Sequence, residues 1–355
     1  MTPNDREQKV TALIDKLCLT RKLKRSEWIT IIRERTPAAA EHLFELARAV
    51  RIHHYGHDIY IRGLIEFTNY CRNDCYYCGI RKSNANALRY RLSKEDILTC
   101  CKEGYRLGFR TFVLQGGEDG WFTDESLCDI VSAIRAQFPD CAITLSVGER
   151  SYDSYKRLYD AGADRYLLRH ETYDEKHYSR LHPPQLSATH RKQCLWNLKK
   201  IGYQVGTGFM VGSPYQTPEN LADDMLFLAK LNPQMVGIGP FIPHHETPFA
   251  RMPGGTAELT VYMLGLIRLL LPRVLLPATT ALGTIAEDGR EKGILAGANV
   301  IMPNLSPAQV REKYLLYDNK LCTGDEAAES LNHLRERMEK IGYHIAVSRG
   351  DSLNI

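Results

Sequence analysis

Apolar positions Val10, Leu13, Ile14 and Leu17 recur at helical spacing, and similar spacing marks helices over 26–35 and 38–50. Residues 5–52 therefore read as helices. After Gly56 the pattern changes, and short apolar runs alternate with amphipathic stretches. The strand candidates are Ile59–Phe67, Thr111–Gln115, Ala142–Ser146, Arg165–Arg169, Gln204–Met210, Val236–Pro240, Val274–Ala278 and Asn299–Met302. Helix candidates lie between them at 94–107, 124–137, 152–161, 187–201, 218–230, 258–271 and 287–296. Ser93 followed by Glu95 and Asp96, and Thr217-Pro218-Glu219, are helix starts. Gly162, Gly202 and Gly297 stand where helices stop.

Regular alternation of strand and helix implies a parallel sheet. Eight such units over residues 59–303 predict an α/β fold, a complete (β/α)8 TIM-type barrel. A doubly wound open sheet is the alternative. Residues 1–58 form an N-terminal helical segment, and 304–355 a C-terminal tail on the barrel with a helix near 326–341. There is no internal repeat or low-complexity segment.

In such barrels the chemistry sits at the C-terminal ends of the strands. The first predicted strand runs into a cysteine loop. The next ones end in Gln115-Gly116-Gly117-Glu118-Asp119, Ser146-Val147-Gly148-Glu149 and Arg169-His170-Glu171. The seventh ends at Thr279-Thr280 and the eighth at Pro303-Asn304. Polar groups thus accumulate on one rim.

Composition is ordinary for a globular protein, with 44% hydrophobic and 25% charged residues, which excludes disorder and coiled coil for the whole chain. The net charge of +4 does not mark a nucleic-acid binder. Val261–Leu271 is the most apolar stretch, but it contains Arg268 and ends at Pro272-Arg273, too short to span a membrane. The first residues, MTPNDREQKV, lack an apolar segment behind a basic start, so a cytoplasmic location is expected. Ten cysteines in that compartment point to metal or redox chemistry rather than disulfides.

Cys71-Arg72-Asn73-Asp74-Cys75-Tyr76-Tyr77-Cys78 is the decisive segment. Zinc would want four ligands, usually in two separated pairs, and no second pair follows. His53, His54 and His57 precede the first strand, at the other end of the barrel. Three cysteines without a fourth suit a [4Fe–4S] cluster with one iron left open to a small molecule.

C-x3-C-x2-C is the signature of radical S-adenosylmethionine enzymes, and Cys71, Cys75 and Cys78 match it fully. Tyr77 matches that family's aromatic position, and Gly116-Gly117-Glu118 resembles its motif for the methionine amino group. Gln115 and Thr144 join the cofactor-side set. The resemblance implies that S-adenosylmethionine chelates the open iron. An electron from the cluster then breaks its C–S bond, giving methionine and a 5′-deoxyadenosyl radical.

Four further stretches narrow the resemblance. Arg165–Thr172, Val236–His244, Pro277–Ala281 and Gly297–Asn304 are similar to the HydE family of [FeFe]-hydrogenase maturases, and the likeness runs from about 59 to 322. It implies that Arg169, Glu171 and Arg191 contact S-adenosylmethionine. A solvated helix face is the other reading of Arg191. Thr279 and Thr280 resemble a small-anion and cyanide-binding pair. Tyr314 and Tyr317 match tyrosines that close the cavity. Met235 resembles a cavity methionine, with core packing as the other reading. Arg62 lies within a strand, where a charge is normally excluded, and is expected to point into the barrel as an anion site, with an ion pair to Glu66 as the alternative. Some members carry a second cluster whose first cysteine aligns with Cys322, but the partners are absent, so one cluster is expected. Cys18, Cys100, Cys101, Cys128, Cys141 and Cys194 are expected to pack in the core.

The activity so implied is hydrogenase maturation. The substrate would be a small organometallic synthon, an iron carrying CO, cyanide and cysteine, supplied by a partner radical S-adenosylmethionine maturase. The resemblance also implies a GTPase scaffold maturase as a partner; nucleic acid and membrane are not expected. An amino-acid mutase resembling methylornithine synthase is the enzymatic alternative, for which Glu66 would hold a side-chain ammonium. An iron–sulfur carrier is the non-enzymatic alternative, disfavoured because a carrier needs no S-adenosylmethionine pocket.

Overall fold

The computed structural model describes residues 3–321 and 328–354. Its strands are β1 (Asp58–Ile61), β2 (Gly63–Thr68), β3 (Thr111–Gly116), β4 (Ala142–Ser146), β5 (Arg165–Leu167) and β6 (Gln204–Thr207). β7 (Met210–Val211), β8 (Met235–Val236), β9 (Gly239–Pro240), β10 (Val300–Ile301) and β11 (His344–Ala346) follow. Six of them form a parallel sheet in the order β2-β3-β4-β5-β6-β8, while β1 lies between β10 and β11 and β7 pairs with β9. The fold is thus α/β with a parallel sheet, as the alternation predicts. Backbone bonds continue past the sheet edges. Val236 N donates to Leu275 O, Ala278 N to Val300 O, and Leu64 N to Pro303 O.

Three predicted strands are interrupted. The first divides at Arg62, because β1 pairs with β10 and β11 while β2 pairs with β3. The run 204–210 divides at Gly208, where a Cβ would stand 1.9 Å from Gly237 O, so the β6 and β8 ends approach closely only without one. The run 236–240 divides beside it. The run 274–278 makes only the isolated bridges Met235↔Leu275 and Pro277↔Val300, since Pro277 has no N–H for a ladder.

The helices follow the apolar periodicity closely, with Lys94–Arg106, Asp124–Gln137, Ala188–Ile201 and Pro218–Leu231 within a residue or so of expectation. Ser93 accepts from Asp96 N while Asp96 returns a bond to Ser93 N, closing a capping box. Helices Glu175–Leu181 and Thr280–Ile285 have no counterpart in the sequence pattern. Ala257–Leu270 is buried on all sides from Thr260 onward. Its Arg268 donates to the carbonyls of Gly297, Pro272 and Val274, which satisfies a charge inside this apolar stretch. No helix among the described residues is long and apolar enough to cross a membrane. One continuous core joins the N-terminal helices to the sheet, and Cys100, Cys101, Cys141 and Cys194 are buried in it.

The tail supplies helix Leu331–Lys340 and then β11. At the N-terminal end of the strands, fully buried Arg165 pairs with Asp351 at 2.6 Å and donates to Thr111 Oγ1. The last residues of the tail therefore pack against the base of the sheet, while Tyr314, Tyr317 and Lys320, earlier in it, reach the other end. Cys322 lies outside the described residues.

Candidate active site

One cavity occupies the C-terminal ends of the strands. Cys71, Cys75, Tyr77, Cys78, Gln115, Gly116, Gly117 and Glu118 line it on one side. Arg169, Glu171, Arg191, Thr279, Thr280, Tyr314 and Tyr317 line the rest. Arg62, Thr144 and Met235 lie outside this lining, all three buried. Leu64 and Glu66 of the same run do line the cavity, which places Arg62 deeper along that run, below the rim.

The cysteine loop holds its shape through backbone carbonyls. Arg89 donates to Asn69 O, Ile80 O, Arg81 O and Asn84 O. Asp74 pairs with Arg81 at 2.6 Å, and that bond holds its carboxyl at about 2. Burial raises all three thiols, Cys78 to about 12, and neighbouring thiols add to it at Cys75 and Cys78, as the Glu118 charge does at Cys71. Such sulfurs become thiolates only beside a cation, the condition a metal centre supplies. Among the described residues, the compact groups able to hold a single ion are Glu149, His190 and Cys194, and His244, His245 and Asp318. The loop triad is not one of them, so its sulfurs fit a cluster of several irons better than one zinc ion.

Gly117 lets the β3 rim touch this loop, since a Cβ there would stand 2.2 Å from Tyr70 O. Glu118 is already engaged, accepting from Glu149 N at 3.0 Å and pairing with Arg72 at 3.0 Å. This carboxylate is therefore committed within the protein, and so is Gly117 N, which donates to Thr68 O. Tyr77 OH lies 3.0 Å from His182 Nε2, and His182 stacks on Tyr178, whose hydroxyl accepts from Arg191.

Glu171 adopts φ +64°, a left-handed conformation that costs a side-chain-bearing residue roughly 1–3 kcal/mol. Its surroundings impose it. Glu171 N donates to Gly208 O, and buried His170 bridges Thr207 Oγ1 at 2.9 Å and Asp224 Oδ1 at 3.3 Å. Burial pushes His170 down to about 3, so it stays neutral. The turn brings Glu171 to the cavity, 3.1 Å from Arg169, while Arg191 pairs with Glu149 at 2.9 Å. Glu171→Ala is expected to weaken S-adenosylmethionine binding about ten- to hundredfold with iron content unchanged, the loss of one charge-assisted hydrogen bond. Titration of the reduced protein measures this, and wild-type affinity would remove Glu171 from the cofactor site.

Sequence reasoning placed Glu149 on the rim without a role, and missed Asp224 and Lys320. Asp224 carried a signal, because it falls on the buried face of its helix with Leu221, Met225 and Leu228. Lys320 carried none. Its Nζ lies 2.6 Å from Glu66 Oε1, so Glu66 does not pair with Arg62. Arg62 Nη1 instead meets Met235 Sδ at 3.0 Å, and its Nε and Nη2 have no hydrogen-bond partner among the described residues. The same holds for Thr144 Oγ1 and Thr279 Oγ1.

A three-cysteine loop facing a polar rim on a parallel α/β sheet defines a radical S-adenosylmethionine enzyme, and the Radical SAM superfamily matches residues 65–228. The [FeFe] hydrogenase maturase subunit HydE of Thermotoga maritima is 44% identical over 85% of this chain and 86% of its own. The chain belongs to the HydE family, whose cofactors are a [4Fe–4S] cluster and S-adenosylmethionine. The 3-methylornithine synthase of Methanosarcina acetivorans is 28% identical over 85% of this chain and 84% of its own. A crystal structure of methylornithine synthase superposes with a TM-score of 0.83 at 26% identity, covering 94% of this chain and 97% of that one.

Proposed function

We propose that this enzyme matures [FeFe]-hydrogenase, using radical chemistry on a compact Fe(CO)2(CN)-cysteine synthon on the way to the diiron subcluster. A partner radical S-adenosylmethionine maturase would deliver the synthon, a GTPase scaffold would receive the product, and the reaction would run in the cytoplasm. The observation that carries this reading is the uncommitted donor set inside the strands, Arg62 Nε and Nη2 with Thr279 Oγ1. Buried donors of this kind are costly unless a ligand accepts from them. A small anion with cyanide and carboxylate acceptors would satisfy them.

Cys71, Cys75 and Cys78 would hold the cluster, which when bound supplies the electron that cleaves S-adenosylmethionine to methionine and the 5′-deoxyadenosyl radical. Gln115, Gly116 and Gly117 would orient the methionine end, and Glu118 would brace the loop through Arg72. Arg169, Glu171 and Arg191 would hold carboxylate and ribose groups, with Tyr77 and Thr144 behind them. Tyr314 and Tyr317 would cover the substrate, keeping water from the radical. Thr280 would stand beside Thr279 against the anion, and Met235 would position Arg62. We read the strands as a complete (β/α)8 barrel. The bonds from Val236 to Leu275, Ala278 to Val300 and Leu64 to Pro303 support that reading.

The test is reconstitution of apo-hydrogenase with the partner maturases, with and without this protein. Hydrogen evolution that depends on its addition is expected. Conversion of lysine to methylornithine, with no hydrogenase activated, would favour the mutase alternative.

A further inference from the structure

Glu66 and Lys320 form a buried ion pair on the wall of the substrate cavity, with side chains 0% and 6% exposed. Lys320 Nζ also donates to Tyr314 O at 3.0 Å, and Asn304 Nδ2 donates to Glu66 Oε2 at 2.9 Å. Both carboxylate oxygens are therefore engaged. Glu66 is on β2, whereas Lys320 comes from the segment after Tyr314 and Tyr317.

We propose that Lys320 is a specificity-determining residue, an ammonium supplied by the chain itself that closes the cavity to cationic side chains. The inference rests on the reading of this cavity as the substrate site. An amino acid bearing a side-chain ammonium would need a carboxylate here. To reach Glu66 it would have to displace Lys320 and leave that charge buried without a partner, which is strongly unfavourable. An anionic ligand faces no such exchange. The pair remains intact, while Arg169 Nε and Thr279 Oγ1, both on residues of the same lining, have no hydrogen-bond partner among the described residues. The same contact fastens the segment carrying Tyr314 to β2, so the residue that sets the charge preference also anchors the cover.

The experiment uses cluster-loaded enzyme with S-adenosylmethionine, and compares L-lysine with L-norleucine as probes in calorimetric titration. The wild type is expected to show no preference for lysine. Lys320→Met exposes Glu66 and is expected to bind lysine about ten- to hundredfold more tightly than norleucine, the range for one charge-assisted hydrogen bond. Combining it with Glu66→Gln should remove that preference. A Lys320→Met protein with no lysine preference, or a double variant that retains one, would overturn the assignment. Should Lys320→Met not fold, Glu66→Gln alone decides the matter. It frees Lys320, so thiocyanate should bind about tenfold more tightly, and unchanged thiocyanate affinity would refute the proposal. These titrations read charge preference without hydrogenase. A wild type that fails in the maturation assay would count against the proposed function and leave this result standing.

Discussion

Cys75→Ala is expected to yield a folded protein that holds far less than the about four irons per chain of one [4Fe–4S] cluster and does not cleave S-adenosylmethionine. The fold should survive because the loop is not held by its sulfurs. Arg89 clamps four carbonyls across it, and Asp74 pairs with Arg81 and Ser83. Circular dichroism should match the wild type while iron analysis and 5′-deoxyadenosine release collapse. Iron near four with cleavage intact would show that Cys75 is not a ligand. Wild-type iron near eight would reveal a second cluster.

Arg62→Met is expected to abolish hydrogenase activation while cluster content and S-adenosylmethionine affinity stay at wild-type values. Arg62 is 5% exposed, and burial together with the charge of Arg165 pushes its guanidinium well below the usual range. A charge held there against its preference is a stability cost, and an apolar residue of similar length removes it. The thermal midpoint should therefore stay level or rise, since replacing buried charge with packed apolar groups is often neutral or stabilising. Lost maturation with retained stability separates a substrate role from a structural one. Maturation at the normal rate would remove Arg62 from the pocket.

Local signals carried the sequence reading furthest. The helices were legible because 3.6-residue periodicity and caps such as Ser93 act within a few residues. The cysteine loop and the rim motifs were legible for the same reason, as consecutive residues. Strand interruptions were not, since Arg62 divides its run by pairing to different partners on each side, and Gly208 does so by meeting Gly237. The helix Glu175–Leu181 is too short and polar to show a stripe. β11 was missed because three residues, His344-Ile345-Ala346, carry little pattern and their partner is β1, far away in sequence. Lys320 was invisible for an analogous reason. A lysine in a polar tail gains meaning only when folding sets it against Glu66.

The position of β1 between β10 and β11 also constrains how the protein is made. During translation β1 leaves the ribosome early, but its neighbours emerge only once synthesis has passed residues 301 and 346. Until then its edges are unsatisfied, and long-range pairings of this kind form slowly. A nascent chain would spend most of its synthesis with that strand exposed, which makes it a natural point of engagement for chaperones.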